Sequence, residues 1–162
     1  MDWTTLLFSF KGRINRGKYW FALLLYMLAW IAFVALCFMW LGSIDPDRLL
    51  RIAGGAMLIW LIAIVLAIAG AWSGIAVGIK RLHDRDKSGW WLLLFWLGPS
   101  ALTSGNMSMG DTGGNFILNL AAFAIMIWGF VELGCLKGTT GPNAYGPDPL
   151  QPVVEPVIQN MR

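Results

Sequence analysis

Hydrophobic positions along this chain come in four long blocks, each bounded by short polar stretches. The first block, about Tyr19 to Gly42, carries no charge. It is long enough to cross a hydrocarbon layer of roughly 30 Å at about 1.5 Å per residue. The second, about Ile52 to Ile79, is also uncharged and exceeds what a bilayer needs, so it is expected to tilt or to project a turn beyond the membrane. The third, about Trp90 to Ser104, is short, and Gly98-Pro99 predicts a kink or an early end. The fourth, about Asn115 to Leu136, has the length of a span but includes Asn115, Asn119 and Glu132. Ahead of them, Asp2 to Phe10 sets Trp3, Leu6, Leu7 and Phe10 at helical spacing and is followed by the cationic run KGRINRGK. This pattern predicts a short amphipathic helix on the membrane surface, with a plain extension of the first span as the alternative.

Composition agrees. With 57% hydrophobic and 13% charged residues, the chain has about half the charge of a soluble domain. The fold class expected is therefore an all-α membrane protein with four transmembrane helices. The first apolar run is too long for a signal-peptide core and lacks a small-x-small cleavage site after it, so it is expected to remain as a span.

Charge then orients the spans. Lys11, Arg13, Arg16 and Lys18 precede span one; Lys80, Arg81, Arg85 and Lys87 lie between spans two and three; Lys137 and Arg162 follow span four. The opposite side has only Arg48 and Arg51. Ten against two predicts that both termini and the central loop face the cytoplasm. The formal net charge of +3 is then a matter of topology and of anionic lipid headgroups. No aromatic-interleaved basic groove speaks for nucleic acid. Cys37 and Cys135 fall at opposite ends of the spans, too far apart for a disulfide, and are read as small packing residues. With a single histidine no zinc set can be assembled from His and Cys, and neither metal nor cofactor is expected. In span two, Gly70, Gly74 and Gly78 continue a small-residue stripe from Ala63 and Ala67, which predicts close packing against another helix of this chain or of a second copy.

Three polar pieces fall on the expected cytoplasmic face: FKGRINRGKYW, KRLHDRDKSGWW and CLKGTTGPNAYGPDP. A four-helix bundle is narrow enough for them to meet. Their elements, GR-x-x-R-x-x-YW at Gly12 to Trp20, RLHD followed by SGWW at Arg81 to Trp91, and KGT-x-G-x-N-x-YGPDP at Lys137 to Pro149, resemble the DUF805 family of small bacterial inner-membrane proteins. The resemblance covers most of the chain and implies a single domain over about 1–150, a short flexible tail over 151–162, and an inner-membrane location. It implies no reaction. The sequence departs from the family pattern at Asp86 and Lys87, where a smaller or less charged pair is expected, and in a longer glycine-rich stretch at Gly105 to Asn115.

Arg13, Arg16, Arg81 and Asp84 are suited to a network of charge-assisted hydrogen bonds that ties the three pieces together. The same guanidinium groups could hold the phosphate of an anionic lipid. His83, Asn143 and Tyr145 join this cytoplasmic cap as candidate headgroup or partner contacts. His83 beside Asp84 invites a catalytic reading, but adjacent residues on a helix point apart, and an interfacial hydrogen bond or a pH-sensitive contact is the expectation for His83. No nucleophile elbow, HExxH, Walker loop or dinucleotide fingerprint is present. Tyr19, Trp20, Trp90 and Trp91 are expected interface anchors. Glu132, the one acid within a span, is expected about one turn from its inner end, snorkelling or paired with Lys137, Arg81 or Lys80. The leading reading is a binding or scaffolding membrane protein whose cap engages anionic headgroups or a protein partner. A small transporter or channel using Glu132 and Asn119 is the alternative, and a membrane-embedded enzyme acting on a phosphorylated lipid is the third. Homodimerisation stays open at this point.

Overall fold

A computed structural model describes residues 2–42, 49–106 and 112–151. Most of the described residues are helical, and they contain no strand. In chain order they form α1 (Trp3–Phe8), α2 (Arg16–Gly42), α3 (Leu49–Asp84), α4 (Trp91–Asn106), α5 (Thr112–Phe130) and a π-helical segment, Val131–Cys135, that continues α5. Arg48, the middle of the glycine-rich stretch (107–111) and the tail beyond Gln151 lie outside the described residues.

Among the described residues, three helices are long and apolar enough to cross a membrane: Arg16–Trp40, Gly54–Asp84 and Phe116–Cys135. Trp91–Ser104 is a shorter apolar helix. Two expectations need correction here. The charged run after Ile79 is not all loop, because α3 continues through Lys80, Arg81 and His83 and ends at Asp84. At 36 residues α3 spans about 54 Å, well beyond the bilayer core. Nor does Gly98-Pro99 end α4, which runs through Pro99 to Asn106. The proline cannot donate to the Phe95 carbonyl. The hydroxyls of Thr103 and Ser104 bond back to the carbonyls of Pro99 and Ser100, so they compete for no partner outside the helix.

α1 is a separate helix. It stops at Ser9, which is extended, and Gly12 turns the chain at φ +91° before α2 begins. Only glycine takes that backbone angle without penalty. Leu6 is buried, but Trp3, expected on the same apolar face, is exposed, and Phe10 lies beyond the end of the helix.

α3 is the shared element. α1, α2, α4 and the π segment all pack on it, and α5 packs along α4. The buried side chains gather at one end of the molecule in two clusters. One joins Leu6, Ile14, Ala22 and Val77; the other joins Leu82, Leu92, Phe95 and Leu133. Further along the helices the apolar residues face outward, with Trp30 64%, Trp60 70% and Met39 73% exposed. Lipid tails are as apolar as these side chains, so nothing drives them inward. What specifies the fold is the buried end.

Candidate functional site

That end is where the three polar pieces meet. Asp84, 2% exposed, closes α3 between two arginines. Its Oδ1 accepts from Arg13 Nε at 3.2 Å and Nη2 at 3.1 Å, and its Oδ2 accepts from Arg81 Nη1 at 2.5 Å. Arg13 also gives Nη1 to the carbonyls of Gly141 (2.7 Å) and Gly146 (3.3 Å), and Nη2 to the carbonyl of Thr139 (2.6 Å). Every nitrogen of this guanidinium is committed within the chain.

Backbone geometry explains why so many cations collect here. The last carbonyls of a helix have no partner within it, and the helix dipole makes that end negative. Three helix C-termini point into this one region. At the π segment, Arg81 donates to the carbonyls of Leu133 (Nε, 2.7 Å) and Leu136 (Nη2). Trp20 Nε1 takes Gly134 (3.0 Å), Arg16 takes Cys135 (3.0 Å) and Arg85 takes Lys137 (2.5 Å). At the end of α3, Asn143 Nδ2 takes the carbonyl of His83 (2.9 Å) and the Thr139 N–H that of Asp84 (2.8 Å). At the end of α1, Lys80 Nζ takes Thr5 (2.7 Å) and Leu6 (2.5 Å). A buried carbonyl left unpaired here would cost about 1–3 kcal/mol.

The expected site residues are thus placed as follows. Arg13, Arg81 and Asp84 form one buried cluster. Arg16 is exposed and caps Cys135 rather than pairing with Asp84. The His83 ring points away from Asp84; its Nδ1 lies 3.3 Å from the Gly12 carbonyl, and the ring stacks on Tyr145 at 3.8 Å between centroids. Asn143 and Gly146 close the loop through a pair of backbone hydrogen bonds. Asp148 pins the same loop, accepting from the N–H groups of Leu150 and Gly141, which hold its carboxyl below the usual range. Glu132 is buried and its partners are Arg85 and Lys87, each at 3.0 Å, in place of the expected Lys137, Arg81 or Lys80. Asn119 lies on α5, away from these groups in sequence and with contacts of its own. Trp90 is exposed, and Trp91 stacks edge-on against Trp128. The glycine stripe of α3 receives side chains of α4 and not a backbone. A Cβ on Gly78 would come within 2.8 Å of Leu92 Cδ1 and one on Gly74 within 3.3 Å of Trp96 Cη2, while Gly70 faces open space. Cys135 is exposed, contrary to the packing role expected of it.

Sequence reasoning offered Lys80 only to Glu132 and missed the α1 carbonyls it meets; it also missed Thr139, and Gly138, whose added Cβ would overlap the Asp84 carboxylate. Only the KGT element carried a signal for the last two.

The departure at Asp86 and Lys87 has a physical account. The N–H of Lys87 bonds to the Leu82 carbonyl and that of Asp86 to the His83 carbonyl, the paired closure of a Schellman motif. Asp86 occupies the left-handed position, φ 56°, that glycine usually fills. Asp86→Gly is expected to raise stability by about 1 kcal/mol, the order of the left-handed penalty, read as a higher melting temperature. A valine there should lower it, and equal melting of all three would remove the strain argument. Lys87 meanwhile reaches Glu132 and lies 5.5 Å from the Trp91 ring.

Apolar helices wrapped around a buried, charge-capped end define a small integral membrane protein. The chain belongs to the DUF805 family, described as proteins of unknown function, whose pattern matches residues 7–147. It is 32% identical over 150 residues to the uncharacterized protein YiiR of Escherichia coli K12, covering 88% of this chain and 86% of that one. It is 30% identical over 153 residues to the E. coli K12 inner membrane protein YhaH, covering 92% and 97%. The E. coli K12 inner membrane protein YhaI is 28% identical over 141 residues, covering 87% and 86%. No solved structure matches the chain.

Proposed function

We propose that this protein crosses the inner membrane four times with both termini in the cytoplasm, and that its capped end is a non-catalytic surface for anionic phospholipid headgroups. The observation that carries this reading is a division of labour among the cations. Arg13, Arg81 and Lys80 are buried and satisfied by carboxylate or carbonyl partners, whereas Lys11, Arg16 and Lys137 are exposed around them. The three polar segments together hold nine Lys and Arg against five Asp and Glu over 2–18, 80–91 and 132–151. Such a surplus beside a membrane attracts anionic headgroups, at about 1 kcal/mol per cation near the surface. The names of YhaH and YhaI support the location. Arg16, His83, Asn143 and Tyr145 then act at the rim or by holding it in shape.

Two features weigh against the other readings. His83 and Asp84 are turned to different partners and hold no shared proton. Glu132 is pinned by two cations near one end of its helix, whereas transporter sites lie near the midplane.

Lys11→Ala with Lys137→Ala tests the headgroup reading. Native mass spectrometry of protein equilibrated with phosphatidylglycerol should show several-fold less bound lipid, at an unchanged melting temperature. Equal retention by the double variant would overturn the reading. Reporter fusions at Arg162 and within 107–111 should report cytoplasm and periplasm respectively.

A further inference from the structure

Between α2 and α3, beneath α1 and beside α4, lies a groove of about 570 Å³. Its floor is the small-residue face of α3, with Gly70, Ser73 and Gly74, and its walls are raised by Tyr26, Trp30 and Trp96. The Tyr26 hydroxyl lies 2.6 Å from Ser73 Oγ, so this polar pair on its lining is closed on itself. The groove therefore offers an apolar surface, and it lies along segments long and apolar enough to span a membrane.

We infer that this groove seats one acyl chain of an anionic phospholipid whose phosphate is met by the cationic cap. The inference rests on the headgroup reading above and gives it a location. Size selects the occupant. From Leu66 to Gly78 the floor runs about 18 Å at helical rise, close to the roughly 15 Å of one hydrocarbon leaflet. An extended acyl chain matches that length, whereas a helix of a second copy would have to seat on the small-residue face of α3. The α3 notches that would let such a helix approach are already taken at Gly74 and Gly78 by Trp96 and Leu92.

Charge selects the headgroup. The groove reaches Leu7 and Phe8 of α1 and Tyr19 of α2, all next to the capped end. Lys11 is exposed and three residues beyond Phe8, so at most about 10 Å of chain separates this cation from the groove lining. Lys80 holds the end of α1 in place over the same region through the carbonyls of Thr5 and Leu6.

Filling the groove tests this. Gly54 lies outside the groove lining and also faces open space, so Gly54→Ala should leave fold and lipid binding unchanged, whereas Gly70→Phe places a ring in the channel. Ala67→Phe, on the same face, serves as the second variant. Each protein is stripped in detergent, equilibrated with phosphatidylglycerol or phosphatidylcholine, and weighed intact. The native chain and Gly54→Ala should retain one phosphatidylglycerol per chain through detergent exchange. Gly70→Phe and Ala67→Phe should retain it at least ten-fold less, with melting temperature preserved in at least one of them. Undiminished retention by both filled variants overturns the groove. If Lys11→Ala with Lys137→Ala still lowers binding in that case, the headgroup reading stands alone. Equal retention of phosphatidylcholine overturns the anionic preference. Conversion of a dimer to a monomer by Gly70→Phe overturns the lipid in favour of a second copy.

Discussion

Asp84→Ala is expected to lower stability by about 3–5 kcal/mol, the usual cost of removing one member of a buried ion pair. The effect belongs at the upper end because two guanidinium groups lose their carboxylate at once. Both are almost completely removed from solvent, with side-chain exposures of 1% for Arg13 and 0% for Arg81. Arg13 keeps the carbonyls of Thr139, Gly141 and Gly146, and Arg81 keeps those of Leu133 and Leu136, so helix ends stay capped while net charge goes unbalanced. By the scaling for a chain of this length the melting temperature should fall by roughly 10 °C, and residues 137–151 should become sensitive to protease first. Asp84→Asn should fall between, since one amide oxygen can still accept. A melting temperature for Asp84→Ala within about 2 °C of the native value would mean that the carbonyls alone hold the arginines.

The convergence of three distant segments was legible because membrane topology is written in charge. Lys and Arg counts place Gly12, Arg81 and Lys137 on one side, and a narrow bundle does the rest. The individual partners were not legible. Arg16 and Trp20 bond to the carbonyls of Cys135 and Gly134, and a backbone carbonyl has no identity in a sequence. Glu132 meets Arg85 and Lys87 because the π segment buries it facing the turn after α3, a matter of helical phase that spacing leaves free. The end of α3 was misread for a related reason. Charge marks where a chain leaves the bilayer core, but a helix can continue past that point, as it does through Lys80 to Asp84. The glycine stripe announced a notch without saying that Leu92 and Trp96 would fill part of it and leave the rest open at Gly70.

The charge surplus also changes meaning once geometry is known. A sequence with many arginines near a membrane suggests anion binding, yet here much of that charge faces helix C-termini. The dipoles of α1, α3 and the last helix each place a partial negative charge at the capped end. Lys80, Arg81, Arg13, Arg16 and Arg85 supply donors to carbonyls there or to the loop beyond. The cations left for a ligand are those at the rim, which is why the binding tests target Lys11 and Lys137 and leave the clamp intact.

Gly138→Ala should cost about 1–3 kcal/mol, the range for overpacking a filled interior, although it adds a single methyl group. The added Cβ would overlap the Asp84 carboxylate, which cannot rotate away while Arg13 and Arg81 grip both of its oxygens. Either those ion pairs lengthen or the Thr139 N–H leaves the Asp84 carbonyl, now at 2.8 Å. The decisive measurement is the double variant. With Ala at position 84 the obstacle is gone, so adding Gly138→Ala to Asp84→Ala should cost no more than about 0.5 kcal/mol further, the scatter seen for independent sites. If the two losses simply add, the intolerance at Gly138 comes from elsewhere in the loop. If they merge, Gly138 of the KGT element is kept to let a backbone close over a clamped carboxylate.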